Sequence, residues 1–502
     1  MVTLRRPLLS VLFLFAVAAP AWPQAAGREP QASVSPVPQA PSLKPQADKD
    51  QILSFIDKNQ PEYAGVAKQI WDLAEVGYQE VKSSALLQKE LTSAGFKVEA
   101  GVAGMPTGFV ASYGAGGPVI AILAEFDALP GITQDASPER HELKEKEAGH
   151  ACGHHLFGTG STAAAIAVKD WLARTGTKGT IRLYGTPAEE GGAGKVYMVR
   201  EGLFKDVDIV LHWHAGDRND ASPGSSLANK SAKFRFHGVS AHAAAAPERG
   251  RSALDGVEAM NNMVNMMREH ITEDSRIHYV ITSGGSAPNV VPDFAEVFYY
   301  VRHPDPREVA AMFDRVVKAA EGAAMGTGTT VDYEVIHGIY AVLPNETLAK
   351  VMDANLRQVG GVQYTAEERA FAEKIQQSFP PDAPPLTMAA GFQPFGIKEA
   401  GGSTDVADVS WVAPTTGLRT ATWVPGTAAH SWQAIAAGGM SIGTKGMIVA
   451  AKTLALTAVD LFTNPALIAK AKEEYQKQAG PNFVYTPLVG NRPPPLDYRK
   501  KD

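Results

Sequence analysis

GPVIAILAEFDAL, residues 117–129, is the stretch on which the fold turns. Its apolar run, Val119 to Ala124, has strand length and no polar interruption, and it ends abruptly in Glu125 and Asp127. A strand buried on both faces reads this way, and a central strand of a parallel sheet delivers its functional side chains at its carboxyl end. The arrangement recurs in GTIRLYGTPAEEGG (179–192), a strand, a turn and a glutamate pair, and in VDIVLHWHAGD (207–217), where histidines stand in the place of the acids. Helical segments, STAAAIAVKDWLARTG (161–176) and KVYMVREGLF (195–204), fall between the strands. Upstream, residues 52–75 and 84–95 have helical periodicity, with Gly95 at the end of the second. Alternation of this kind predicts an α/β fold with a mainly parallel or mixed sheet.

Near residue 230 the pattern changes. SAKFRFHG (231–238) alternates as a half-exposed strand, residues 251–270 form a long amphipathic helix, and RIHYVITSGG and AEVFYYVRH are again strand-like. A second helix (306–328) and a strand, TTVDYEVIHG, complete a β-α-β-β-α-β order, which predicts a two-layer α+β module with an edge free for pairing. Apolar, glycine-rich sequence resumes afterwards, so the module, residues 230–342, is inserted between two parts of one domain, 50–229 and 343–475. Residues 430–462 read as one helix. The extension 476–502, with its tail NRPPPLDYRKKD, reads as exposed and without functional signal.

The chain has 502 residues, 45% hydrophobic and 20% charged, with a formal net charge of -6. No basic run stands out, so nucleic acid and anionic membrane surfaces are not expected partners. At the N-terminus, Arg5 and Arg6 precede an apolar run from Leu8 to Ala19, and small residues follow. This predicts a signal peptide over 1–21, with an uncleaved anchor as the rival, then a disordered Pro- and Gln-rich spacer over 22–49. The expected location is periplasmic or secreted, without stable membrane insertion after processing. Cys152 is the lone cysteine and forms no internal disulfide. In an exported chain it is therefore buried, metal-bound or catalytic.

GHACGHHLFGTGS (149–161) holds that cysteine among His150, His154 and His155. Thiolate and imidazole are good zinc ligands, and carboxylates complete mixed sites. Potential partners stand at other strand ends: Glu189 and Glu190, His212 and His214, and His430 before a late helix. A glutamate pair suits two roles, one side chain holding a metal and the other taking a proton from water. A Cys152–His154 cysteine nucleophile is the alternative, but it leaves the glutamates and His214 idle. No G-x-S-x-G, H-E-x-x-H or phosphate-cradling loop is present. In the inserted module, His242 lies in a small-residue loop, Asn289 in a turn and Arg302 at a strand end. Asn and Arg so disposed bind a substrate carbonyl or carboxylate, or stabilise the module itself.

Taken together and in order, AEFDALPG, GHACGHHLFGTGS, GTPAEEGGAGK, DIVLHWH, GVSAHAAAAPERGRSALDG, APNVVPD, GGSTDVADVSWVAPT and GTAAHSW resemble the M20 metallopeptidase/amidohydrolase family, in its aminobenzoyl-glutamate hydrolase B-subunit-like branch. The resemblance spans roughly residues 50–475. It implies a zinc-exopeptidase-like α/β catalytic domain with the inserted module as lid and homodimerisation domain. It also implies two divalent metal ions, zinc or manganese, held by Cys152, His154, Glu190, His214 and His430. By the same resemblance Glu189 is the general base of a metal-activated water, His242 stabilises the oxyanion from a partner subunit's lid, Asn289 and Arg302 face substrate, and Asp127 supports a ligating histidine. The implied reaction is hydrolysis of a small N-acyl or aminobenzoyl amino acid or peptide-like amide, with an exopeptidase or dipeptidase as the alternative. His155 stands where many relatives carry Asp, and Glu125 where the peptidase branches carry His. His212 competes with His214, since both point to one face of the strand.

Overall fold

The computed structural model describes residues 43–398 and 401–500. The expected signal peptide and residues 22–42 of the expected spacer lie outside them. Residues 43–49 of that spacer belong instead to the helix Leu43–Leu73. Tertiary contacts recruit them: Lys49 Nζ lies 2.8 Å from Asp460 and donates to Asn355 Oδ1. Pro45 falls in the first turn, where its missing N–H costs nothing.

The larger sheet is built from β1 (Lys97–Ala100), β2 (Phe109–Ala115), β3 (Val119–Ala124), β6 (Gly179–Gly185), β7 (Ile209–Gly216) and β12 (Thr415–Ala421), whereas β4 (Leu129–Pro130) and β5 (Ala148–Gly149) pair as a short ribbon. The order is β1-β2-β6-β3-β7-β12. β6, β3, β7 and β12 are mutually parallel, and β1 and β2 add an antiparallel margin. The sheet is therefore mixed. Every residue of β3 is buried, as its unbroken apolar run requires. From β3 the chain goes to β6 on one side and then to β7 on the other, so the carboxyl ends of the parallel strands frame the crevice where ligands of open α/β sheets bind.

Two helices cover this sheet closely. His154–Thr175 packs on β3, and Ser441–Thr463 packs on that helix and on β12. The latter is long and apolar enough to span a bilayer, but 83% of its most apolar window is buried in the protein. The single helix expected over 430–462 is broken into Trp432–Gly438 and Ser441–Thr463, because the backbone turns at Gly439 and Met440.

The second sheet comprises β8 (Ala228–His237), β9 (Arg276–Ser283), β10 (Phe294–His303) and β11 (Thr330–Ile339), ordered β11-β8-β10-β9 and antiparallel throughout. Helices Ala253–Met267 and Pro306–Thr327 cover one face, where Phe234, Phe236, Val297, Tyr299 and Val301 are buried. Ser252 and Asp305 cap these helices by accepting backbone N–H groups, and Pro306 occupies the first helical position of the second. β9 is an edge, with Val280 59% and Ile281 45% exposed. The chain re-enters the first core through the helix Glu346–Val359. The boundary expected between 475 and 476 falls inside the helix Pro465–Ala479, and the residues after it are bonded to β11 and to the Glu190 carbonyl rather than free.

Candidate active site

Loops following β3 and β6 of the large sheet and β5 of the short ribbon converge. After β3 come Glu125 and Asp127. After β5, Gly153 adopts a left-handed φ of +75° and opens the helix His154–Thr175. A Cβ there would lie 2.5 Å from that of Ala215, so glycine alone lets the Cys152–His154 turn sit against β7. After β6 comes the glutamate turn, with Ala188 at φ +57°, Gly191 at +91° and Ala193 at +54°. Non-glycine residues in this region are strained, and they persist where surrounding contacts over-determine the backbone. Those contacts are present. Glu80 Oε1 accepts the Ala188 N–H, Asp127 Oδ2 accepts the Glu190 N–H, and the Tyr78 hydroxyl donates to the Gly192 carbonyl.

The ligand atoms of Cys152, His154 and His214 lie within 4.8 Å of one another, as do those of Cys152, Glu190 and His430, and those of Glu125, His154 and Glu189. Cys152 Sγ and His214 Nε2 are 3.4 Å apart, and His430 Nε2 and Glu190 Oε1 are 3.2 Å apart. His154 Nδ1 bonds the Asp127 carboxylate at 2.9 Å, and His214 Nδ1 bonds the Ala215 carbonyl at 2.8 Å. With Nδ1 donating in each ring, the Nε2 atoms face the cluster. His154 Nε2 and Glu190 Oε1 are buried, and each faces another candidate ligand: Glu125 Oε2 lies 3.1 Å from the first and His430 Nε2 3.2 Å from the second. Sulfur, imidazole and carboxylate donors gathered this closely suit divalent cations, and Cys152 is common to two of the groups. His212 belongs to none of the three groups; its ring packs against Gly417.

Electrostatics point the same way. Burial, then Glu125, Asp405 and Glu190, push the Glu189 carboxyl well above the usual range. Burial likewise raises the Cys152 thiol, with Glu190 and Glu189 adding to it. Asp127 stays below the usual range, because the His154 ring and the Glu190 N–H outweigh its burial. Such a well of negative charge attracts cations.

Sequence reading missed the counter-charge. Lys195, fully buried, is 2.7 Å from both Glu125 and Asp405. Lys195 stands in GTPAEEGGAGK and Asp405 in GGSTDVAD, and neither stretch marks its charge as buried. Glu125 also lies 3.1 Å from His154 Nε2. Glu80, pushed up to about 8 chiefly by burial, was missed as well. The His150 and His155 rings lie tilted to each other with centroids 4.8 Å apart and bond the Ile70 and Gly438 carbonyls. They act as packing behind the ligand turn.

His242, Asn289 and Arg302 lie in the inserted module. His242 is exposed, and its Nδ1 accepts the Ala244 and Ala245 N–H groups, which leaves the ring proton on Nε2. The Asn289 carbonyl accepts the Ala243 N–H. The neighbouring loop lines a hollow of about 570 Å³ formed wholly of module residues. Arg302 stands over the Tyr300 ring with its Nε buried and unpaired. Among the described residues, none of the hydrogen bonds, ion pairs or ring contacts of these three reaches the Cys152 cluster.

A mixed α/β sheet with clustered metal-type ligands and a spare glutamate at its carboxyl ends defines a metal-dependent hydrolase. Residues 121–391 match the model of peptidase family M20/M25/M40, and the chain belongs to this family. It is 41% identical over 469 residues to the B component of the Escherichia coli p-aminobenzoyl-glutamate hydrolase, covering 88% of this chain and 98% of that one. It is 28% identical over 437 residues to the mouse Xaa-Arg dipeptidase, covering 84% and 90%. A dinuclear metal binding peptidase of the M20 family from Bacillus subtilis superposes with a TM-score of 0.53 over 83% of this chain and 99% of that one, at 18% identity. The protein is a metal-dependent amidohydrolase of this family, and its second sheet is the inserted lid-type subdomain of the fold.

Proposed function

We propose that the protein cleaves the amide bond of an N-acyl or aminobenzoyl amino acid, with Glu189 as general base. The observation that carries this reading is the pairing of two ligand groups through Cys152, with Glu189 beside them and unclaimed by either. One group is Cys152, His154 and His214, and the other is Cys152, Glu190 and His430. Zinc or manganese bound there would polarise the amide carbonyl and acidify a water. Glu189 takes the proton from that water and returns it to the leaving nitrogen. Its carboxyl already has a raised proton affinity from burial and neighbouring acids, which suits a group that must hold a proton in mid-reaction. Asp127 fixes the His154 tautomer, and Lys195 balances the buried charge of Glu125. His242, with Nε2–H free, donates to the developing oxyanion, and Asn289 and Arg302 hold the substrate's carbonyl and carboxylate.

The lid pairs with a second copy through the β9 edge, supported by its exposed Val280 and Ile281. This brings His242 to a site its own chain does not touch. The N-terminal apolar run supports export to the periplasm or beyond. The Xaa-Arg dipeptidase relative favours a second reading, cleavage of dipeptides. A cysteine hydrolase is disfavoured, because a nucleophilic thiol needs lowered proton affinity and burial raises that of Cys152.

The test is hydrolysis of p-aminobenzoyl-glutamate, N-acyl amino acids and dipeptides by purified protein before and after chelation. The expected result is turnover of the acyl amino acids that chelation abolishes and zinc or manganese restores. Turnover that survives chelation and stops on thiol alkylation would overturn the metal reading, and preference for dipeptides would select the second.

A further inference from the structure

Residues 480–500 are strapped across the molecule from the base of the lid to the glutamate turn. Tyr485 donates to Asp408, and the Tyr340 hydroxyl donates to the Thr486 carbonyl. Arg492 donates to the Val335 and Ile336 carbonyls of β11, each at 2.7 Å, and lies 3.2 Å from Glu334. Arg200 donates to the Arg492 carbonyl, and Gln79 to that of Leu496. The strap ends on the Glu190 carbonyl, which accepts from both the Tyr498 hydroxyl and the Arg499 guanidinium at 2.9 Å.

We infer that Tyr498 and Arg499 are positioning residues that fix the direction of the Glu190 side chain and, through it, the adjoining Glu189. The aim of a side chain is set by the two peptide planes that flank its Cα. At Glu190 the preceding plane is pinned by Asp127 on the N–H. The following plane leads into Gly191 at φ +91°, a residue with no side chain to anchor it, and only the strap is bonded to its carbonyl among the described residues. Space for this contact is built into the fold. A Cβ on Gly77 would lie 2.3 Å from the Tyr498 hydroxyl, and the Tyr498 ring meets Tyr78 edge-on at 5.8 Å. Tyr78 in turn bonds the Gly192 carbonyl. The strained turn is thus gripped from outside by residues 308 and 309 positions distant. The inference rests on the reading of Glu189 and Glu190 as base and metal ligand.

The experiment compares Tyr498→Phe, Arg499→Ala, their combination and Arg499→Lys in the full chain, with zinc affinity by chelator competition beside kcat and KM. Tyr498→Phe keeps the ring packing, so folding is preserved. Loss of two hydrogen bonds at one carbonyl should weaken zinc binding and lower kcat about tenfold in the double variant, with KM little changed. Arg499→Lys, which retains a donor, should restore part of both. Wild-type zinc affinity and kcat in the double variant would overturn the inference, as would a loss that tracks Tm alone and is not restored by lysine. If the parent enzyme binds zinc but cleaves no amide, the proposed function fails while the chelator measurement still decides the strap.

Discussion

The two sheets of this protein solve opposite problems. At the carboxyl ends of the large sheet, most of the polar side chains, Glu125, Asp127, His154 and Lys195 among them, are buried and set against one another, and the backbone is bent into conformations that alanine resists, at Ala188 and Ala193. On the lid, His242 and Asn289 stand in open loops, and the edge strand β9 leaves apolar side chains in solvent. The difference teaches where rigidity is needed. Groups that share protons and cations must keep their spacing within a fraction of an ångström, whereas groups that greet a substrate or a second chain must wait in the open.

The sharpest way to break this contrast is at Glu189. Glu189→Gln should lower kcat by about 10³-fold with metal content near the parent's, the range expected for removal of a general base. Metal analysis beside turnover checks it, and loss of metal would mean that the two glutamates exchange roles. Next in size is Lys195→Met, which abandons Glu125 and Asp405 in the interior and should cost about 3–5 kcal/mol of stability by denaturant titration. A smaller loss would mean that the region is wetter than its geometry implies. His242→Ala should lower kcat about 10²-fold with metal content and Tm unchanged, because the residue belongs to the open side of the comparison. The least effect on stability is expected from Val280→Lys on β9, within about 0.5 kcal/mol. It should nonetheless shift the molecule from dimer to monomer in sedimentation, and an unmoved dimer would direct attention to another surface.

Much of this was legible in the sequence, for identifiable reasons. A strand buried on both faces has to be uniformly apolar, so β3 and the acids at its end declare themselves, and the β-α-β-β-α-β order of the lid follows from simple alternation. Cys152, His154, Glu190, His214 and His430 do converge, but spacing alone could not choose between His212 and His214. Only the packing of the helix His154–Thr175 on β7 brings Cys152 to the latter. Lys195 was illegible because a lysine carries no mark of burial until its partners are folded against it, Glu125 well before it in the chain and Asp405 210 residues after it. The tail was illegible for a related reason: proline-rich sequence without periodicity looks free, and its anchors are backbone carbonyls, which no sequence pattern advertises.

The common sulfur has one more consequence. Because Cys152 stands in both ligand groups, the centre has a single-atom failure mode. Conversion of that thiol to a sulfenic or sulfinic acid would withdraw a donor from both groups at once. Inactivation by peroxide should therefore be all-or-none per molecule, with no half-active species, and burial of the sulfur is what stands between the enzyme and that fate.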